Sequence, residues 1–159
     1  MFKFKLSDKW DRRFMEMAEL VSSWSKDPGT KVGCVLVDDR RIIGTGYNGL
    51  PQGVSDLSER FEDREWKLAV TVHAEVNAIL NAGKHGAKTE CATLYTTFPP
   101  CSHCSSAIIQ AGITRIVCPF YSKAPERWRD NFLLGKSLLI EAGIHITELC
   151  LPQKTDYHQ

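Results

Sequence analysis

The sequence predicts an α/β fold, a three-layer α-β-α sandwich in which a mixed five-stranded sheet carries helices on both faces. Three observations lead there. Short apolar runs bounded by turn residues alternate with segments of helical periodicity, in the order α-β-β-α-β-α-β-α-β. The first two runs are separated only by Asp38-Asp39-Arg40, which reads as an antiparallel hairpin. The later runs are separated by helices, which favours right-handed parallel crossovers. Finally, 159 residues at 43% hydrophobic content suffice for one core. No internal repeat or second domain is evident, so residues 1–159 are expected to form a single domain with a polar tail over 150–159.

Each element has a local reason. Trp10, Phe14, Met17, Ala18 and Val21 recur at helical spacing behind Ser7, an N-cap candidate, and predict a helix over 8–23. Asp27-Pro28-Gly29 breaks it. Residues 32–37 and 41–47 are the hairpin strands. Residues 48–70 are polar, with 60–68 a candidate helix. An apolar helix over 72–82 ends near Gly83, and 92–96 form a strand. A helix from Cys101 stops at Gly112, and 115–118 form the next strand. Pro125 suits the first turn of a long amphipathic helix with Trp128, Phe132, Leu138, Leu139 and Ala142 on its apolar side and Gly143 as its stop. Residues 144–149 close the sheet.

Charge and cysteine usage narrow the classes. Net charge is +1, with acidic and basic residues interspersed as in Glu126-Arg127-Trp128-Arg129-Asp130, so the basic stripe of a nucleic-acid binder is missing. No apolar run has the length of a membrane span, and Met1-Phe2-Lys3-Phe4-Lys5 lacks a signal-peptide hydrophobic stretch. A cytoplasmic location is expected, with no membrane and no nucleic-acid partner. Six cysteines without a secretion signal favour reduced thiols and metal binding. Cys34 and Cys118 lie in apolar strand runs and are read as core. Cys91 and Cys150 lie near strand ends and read equally as packed or partly exposed. A second zinc site built from them with His85 or His145 stays open.

Two short segments hold the chemistry. His73-Ala74-Glu75 and Pro100-Cys101-Ser102-His103-Cys104 contain three zinc ligands and one further carboxylate. His73, Cys101 and Cys104 would leave one tetrahedral position open for water, and Glu75 is the candidate base. Both segments fall at the start of a helix that follows a strand, where α/β sheets place their ligand crevice. His103 reads as an exposed helix residue. Two other readings of Cys101 and Cys104 stay open: half of a structural zinc site, and a redox dithiol. The first would want a fourth protein ligand, and the second needs neither His73 nor Glu75, so catalytic zinc ranks first.

The H-x-E and P-C-x-x-C pair resembles the zinc nucleobase deaminase signature. Segments outside it narrow the likeness: Ser25-Lys26-Asp27-Pro28, the run from Gly46 to Gly53, the run from Val72 to Ile79, and Ile108-Ile109-Gln110-Ala111-Gly112-Ile113. Together they resemble the deoxycytidylate (dCMP) deaminase family from about Trp10 to Ile146, including an insertion between Gly49 and Thr71.

That resemblance implies a cytidine-deaminase-like sandwich, one catalytic zinc per subunit on His73, Cys101 and Cys104, and Glu75 as proton shuttle. The implied reaction is hydrolysis of dCMP to dUMP and ammonia. Asn48 then matches a deoxyribose contact, Ser25 and Lys26 lie near the 5′-phosphate, and Ala74 and Tyr121 belong to the substrate pocket. Read from the residues alone, Lys26 is equally an exposed loop lysine and Asn48 equally an Asn-Gly turn residue. An aromatic at Phe120 or Tyr121 reads either as a cover for the base or as core. The family likeness also implies a homo-oligomer, a hexamer, activated by dCTP and inhibited by dTTP, with effector contacts around Gly46, Tyr47 and Gly49. Two departures touch phosphate recognition and effector control: Trp24 stands where many members carry Arg, and the segment from Pro119 into the following helix differs from animal and phage enzymes. Two other functions remain as alternatives: deamination of a base within nucleic acid (tRNA adenosine or single-stranded DNA cytosine), and a non-catalytic nucleotide-binding regulator.

Overall fold

Residues 9–150, apart from Ala124, are described by a computed structural model. Their centre is a five-stranded sheet in the order β2-β1-β3-β4-β5. Strand β1 (Gly33–Asp38) runs antiparallel to both β2 (Arg41–Tyr47) and β3 (Thr93–Thr96). Strands β3, β4 (Arg115–Pro119) and β5 (His145–Leu149) are mutually parallel neighbours. The hairpin turns through Asp39 and Arg40, both at positive φ as a two-residue turn requires.

Alternation along β1 divides two apolar layers. Val35 and Val37 face α1 (Lys9–Ser22), packing with Phe14, Met15, Ala18, Val21, Tyr95 and Val117. Cys34 and Leu36 face the other layer with Leu94, Ile116 and Cys118. That layer is covered by α4 (Ala74–Lys84), α5 (Ser102–Gln110) and α6 (Arg129–Glu141), which contribute Ala74, Ala78, Ala82, Ile108, Phe132 and Leu139. Helices thus cover both faces, three on one and one on the other. Cys34 and Cys118 are core residues, as expected.

Several elements differ from expectation. The helix expected near 60–68 is two short ones, α2 (Ser58–Glu62) and α3 (Arg64–Val70), divided where the Asp63 side chain accepts from the Trp66 N–H at 3.0 Å and starts the second. Helix α4 begins at Ala74 with His73 as its N-cap, and it runs through Gly83 to Lys84. The helix expected from Pro125 is preceded by a tight turn over Glu126–Trp128 and starts at Arg129. It buries Phe132, Gly135 and Leu139. Leu138 is only half-buried and Ala142 is exposed, so the expected apolar side is rotated. Ser7 and the tail beyond Cys150 lie outside the described residues.

Candidate metal centre and active site

The site begins with the packing of α4 on the edge strand. A Cβ on Gly44 would stand 2.6 Å from the Ala78 carbonyl oxygen, and one on Gly46 would collide with backbone atoms of Ala74 and Ala78. Opposite these glycines α4 presents Ala74, Ala78 and Ala82, so helix and strand touch through backbone. Asn77 and Asn81, one turn apart on α4, donate their amides to the Tyr47 and Thr45 carbonyls, each at 2.8 Å. The bridge between Gly49 and Val72 closes the intervening loop beneath His73.

Both motif-bearing helices start at the C-terminal edge of the sheet. His73 caps α4 and Cys101 caps α5. His73 Nδ1 lies 3.3 Å from Cys104 Sγ and 3.5 Å from Cys101 Sγ. Zn–N and Zn–S bonds of about 2.0 and 2.3 Å meeting tetrahedrally put N and S about 3.5 Å apart, so this donor set fits zinc. One donor atom from each of His73, Cys101 and Cys104 lies within 4.8 Å of the others, and no second such group occurs among the described residues. Cys91 and Cys150 are exposed and belong to no such group, and His103 is exposed outside the set. The two sulfurs are free thiols, not bridged. The set has three protein ligands, which leaves a fourth position.

Glu75 stands beside this set without joining it. It is 3% exposed and accepts from the Cys104 thiol at 3.4 Å. Burial pushes its carboxyl up to about 6, against the opposing pull of the His73 charge. Cys101 is held well below the usual thiol range first by the neighbouring Cys104 side chain, with His73 and the Cys104 N–H adding to the effect. Cys104 is pushed up by the Cys101 sulfur beside it and by burial. The hydrogen bond to Cys101 raises His73. Both sulfurs lie in the first turn of a helix, and binding a divalent cation would release whatever thiol protons remain.

The other residues singled out in the sequence take varied places. Asn48 is buried, with Oδ1 accepting from the Val32 N–H and Nδ2 donating to the Thr30 carbonyl, each at 2.8 Å. Ser25 is buried, and its hydroxyl donates to the Asn48 carbonyl at 2.7 Å. Their polar atoms thus hold the loop after α1 against the end of β2. Lys26 is exposed and paired with Asp56 at 2.6 Å. Ala74 is fully buried in the first turn of α4. Tyr121 is buried beside Cys118, its N–H donates to Glu148 at 2.9 Å, and its hydroxyl has no hydrogen-bond partner. Phe120 is exposed. Gly46 is buried under α4, Gly49 is half-buried, and Tyr47 is exposed with its ring edge-on to Trp24 at 6.3 Å.

Sequence reasoning missed the Lys67–Asp27 pair at 3.1 Å, which ties α3 to the loop bearing Lys26, and it missed Asn77 and Asn81. The i, i+4 spacing of the two asparagines was a usable signal. No helix among the described residues is long and apolar enough to cross a membrane.

Known proteins resemble this chain in sequence and fold. Residues 8–119 match the family model described as the cytidine and deoxycytidylate deaminase zinc-binding region. An uncharacterized deaminase in the luxG 3′ region of Aliivibrio fischeri is 42% identical over 144 residues, covering 90% of this chain and 95% of that protein. A probable deoxycytidylate deaminase of Drosophila melanogaster is 41% identical over 156 residues, covering 91% of this chain and 74% of that protein. The dCMP deaminase of cyanophage S-TIM5, solved with dCMP and dUMP, superimposes with a TM-score of 0.74 at 26% identity, covering 91% of this chain and 100% of that one. With the three-donor centre, the buried carboxylate and the sheet order on one side and these likenesses on the other, the chain belongs to the cytidine and deoxycytidylate deaminase family.

Proposed function

We propose that this chain is a zinc-dependent deaminase that hydrolyses dCMP to dUMP with release of ammonia. One observation carries the reading: a His–Cys–Cys set of three converging donors beside a buried carboxylate outside the set. The likeness to deoxycytidylate deaminases supports the choice of nucleotide.

Bound zinc supplies the positive charge that makes water acidic near neutral pH. Held by His73, Cys101 and Cys104, the metal would supply that charge, and Glu75 would take a proton from the attacking water and deliver it to N3 of the cytosine ring as the water oxygen adds at C4. Glu75 then takes the second proton from the added hydroxyl and passes it to the exocyclic nitrogen. The C4–N bond breaks, ammonia leaves, and the C4 carbonyl forms. Glu75, buried beside the donor set and outside it, is placed to take and return a proton in both directions of transfer.

The surrounding residues take supporting parts. Lys26 reaches the 5′-phosphate by exchanging Asp56 for it, and Ser25 and Asn48 hold the loop on which Lys26 sits. The backbone of Ala74 and the unpartnered Tyr121 hydroxyl offer polar contacts to the base. Effector binding by dCTP or dTTP would fall at Tyr47, with Gly46 and Gly49 shaping the strand end. The chain acts as one cytoplasmic domain of residues 1–159 in a homo-oligomer, a hexamer by family likeness.

The test is ammonia release from dCMP, cytidine, single-stranded DNA and tRNA in parallel. dCMP is expected to react far faster than the rest; equal rates on cytidine, or turnover of nucleic acid alone, would reject the reading. Glu75→Gln is expected to keep zinc and lose about 10²- to 10⁴-fold in kcat. Undiminished turnover in that variant would remove Glu75 from the chemistry.

A further inference from the structure

Helix α6 supplies none of the three metal donors, yet it meets the turn that supplies two of them. Asn131 Oδ1 accepts from the Ser102 N–H at 3.0 Å. Ser102 is the first residue of α5, and N–H groups in a helix's first turn have no partner within the helix. One turn further along α6, Gly135 lies against the Pro100–Cys101 peptide. A Cβ there would stand 3.0 Å from the Cys101 carbonyl carbon, 3.0 Å from the Pro100 oxygen and 2.8 Å from Ser105 Oγ. Residues four apart on a helix share a face, so Asn131 and Gly135 bear on the same turn together.

Cys101 has two duties at once. Its sulfur belongs to the donor set, and it also accepts from the Cys104 N–H at 3.5 Å as the N-cap of α5. Both require the sulfur to lie back across the helix mouth. Helix ends fray unless their first N–H groups are held. Asn131 holds one of these groups from outside. Gly135 lets α6 approach closely enough for that amide to reach.

We infer that Asn131 and Gly135 are positioning residues for the metal centre, a brace on α6 that fixes the Cys101 turn in its ligand conformation. This rests on the zinc reading above. Neither residue is one of the donors, so the brace acts through Cys101 and the first turn of α5. Partners of this kind outside the ligand set cost about 10- to 100-fold in metal affinity when removed.

The test compares wild-type chain, Asn131→Ala and Asn131→Asp, the last keeping an oxygen where Oδ1 stands. Zinc affinity is read by competition with a chromophoric chelator on folded protein, and geometry by the absorption bands of the cobalt(II)-substituted centre. Asn131→Ala is expected to bind zinc about 10- to 100-fold more weakly with altered cobalt bands, and Asn131→Asp to restore both. A merely structural contact would lower the melting temperature while leaving affinity and cobalt spectrum in place, and that result overturns the inference. If Asn131→Ala does not fold, Asn131→Ser withdraws the oxygen with less loss of volume and is read the same way. Wild-type protein that takes up no stoichiometric zinc would sink the zinc reading and the brace with it. Wild-type uptake with an indifferent Asn131→Ala sinks the brace alone.

Discussion

Replacing Asp11 with Ala removes the carboxylate paired with a buried guanidinium in the sheet layer opposite the metal centre, leaving it the Thr147 and Tyr95 hydroxyls among its acceptors. Asp11 is 2% exposed and Arg115 8%. Arg115 donates through Nη1 at 2.8 Å and Nη2 at 2.7 Å to the two carboxylate oxygens, a forked pairing, and the Tyr95 hydroxyl donates to Asp11 at 2.8 Å. Burial works against the Arg115 charge, but the hydrogen bonds and charge of Asp11 hold its pKa above the ordinary value. Burial and then Asp11 push Tyr95 up, so it stays neutral. Breaking a buried pair from one side costs about 3–5 kcal/mol, because the remaining charge is left in low dielectric. A domain has about 5–15 kcal/mol in all. Urea unfolding of the zinc-loaded protein should therefore show a large fall in midpoint at unchanged slope. The double variant Asp11→Leu with Arg115→Met should recover most of the loss, since apolar replacement of a whole buried pair is often neutral. Zinc affinity of folded Asp11→Ala should match wild type, because α1 and the donor set lie on opposite faces. A loss below about 1 kcal/mol, typical of an exposed pair, would refute the argument, as would a double variant no better than the single.

Two further outcomes follow from packing and metal linkage. Gly46→Ala should destabilise by about 1–3 kcal/mol or more, because its methyl meets the backbone of α4 and cannot be cleared by side-chain rotation. Turnover should fall with it, since α4 carries His73 and Glu75; a thermal melt and a kcat measurement check both. Zinc removal by a strong chelator should lower the melting temperature, as loss of any native-state ligand does. It should also raise the number of readily titrated thiols above the exposed Cys91 and Cys150, with Cys101 appearing next and Cys34 and Cys118 staying slow.

What could be read in advance depended on whether a residue's reason is local. Metal chemistry demands residue types at fixed spacing, so His73, Glu75, Cys101 and Cys104 were visible without a fold. Strands β1 to β5 were visible because each is a short apolar run next to a turn. Residues 48–70 were visible only in part: the helix expected over 60–68 is present, but its division into α2 and α3 at Asp63 and the Lys67 tie to Asp27 across the chain leave no period in a polar stretch. Helix α6 misled for a related reason. Its buried face passes through Gly135, a residue no hydrophobic pattern selects, while Leu133, Leu134 and Ile140 are exposed. Asn48 and Gly46 show the same limit. Neither the two backbone hydrogen bonds of the Asn48 amide nor the close approach of α4 at Gly46 can be read from the neighbouring residues, because their partners lie elsewhere in the chain.

The different spacings of the two motifs have one geometric origin. His73 and Cys101 both sit at N-cap positions in extended conformation, at φ −71°, ψ 154° and φ −73°, ψ 173°. The Cys101 side chain lies across the helix mouth and accepts from the third helical residue, which stands about one turn away, whereas the His73 side chain makes no cap hydrogen bond. In α5 that third residue is Cys104, so the C-x-x-C spacing delivers two sulfurs to one point. In α4 the acid comes one residue earlier, at the second position, about 100° short of the cap's own side. Glu75 therefore turns inward and is buried, reaching the sulfur of the neighbouring helix, while His73 stays exposed and keeps its Nδ1 for the donor set. A further residue between His73 and Glu75 would bring the carboxylate round to the cap's side.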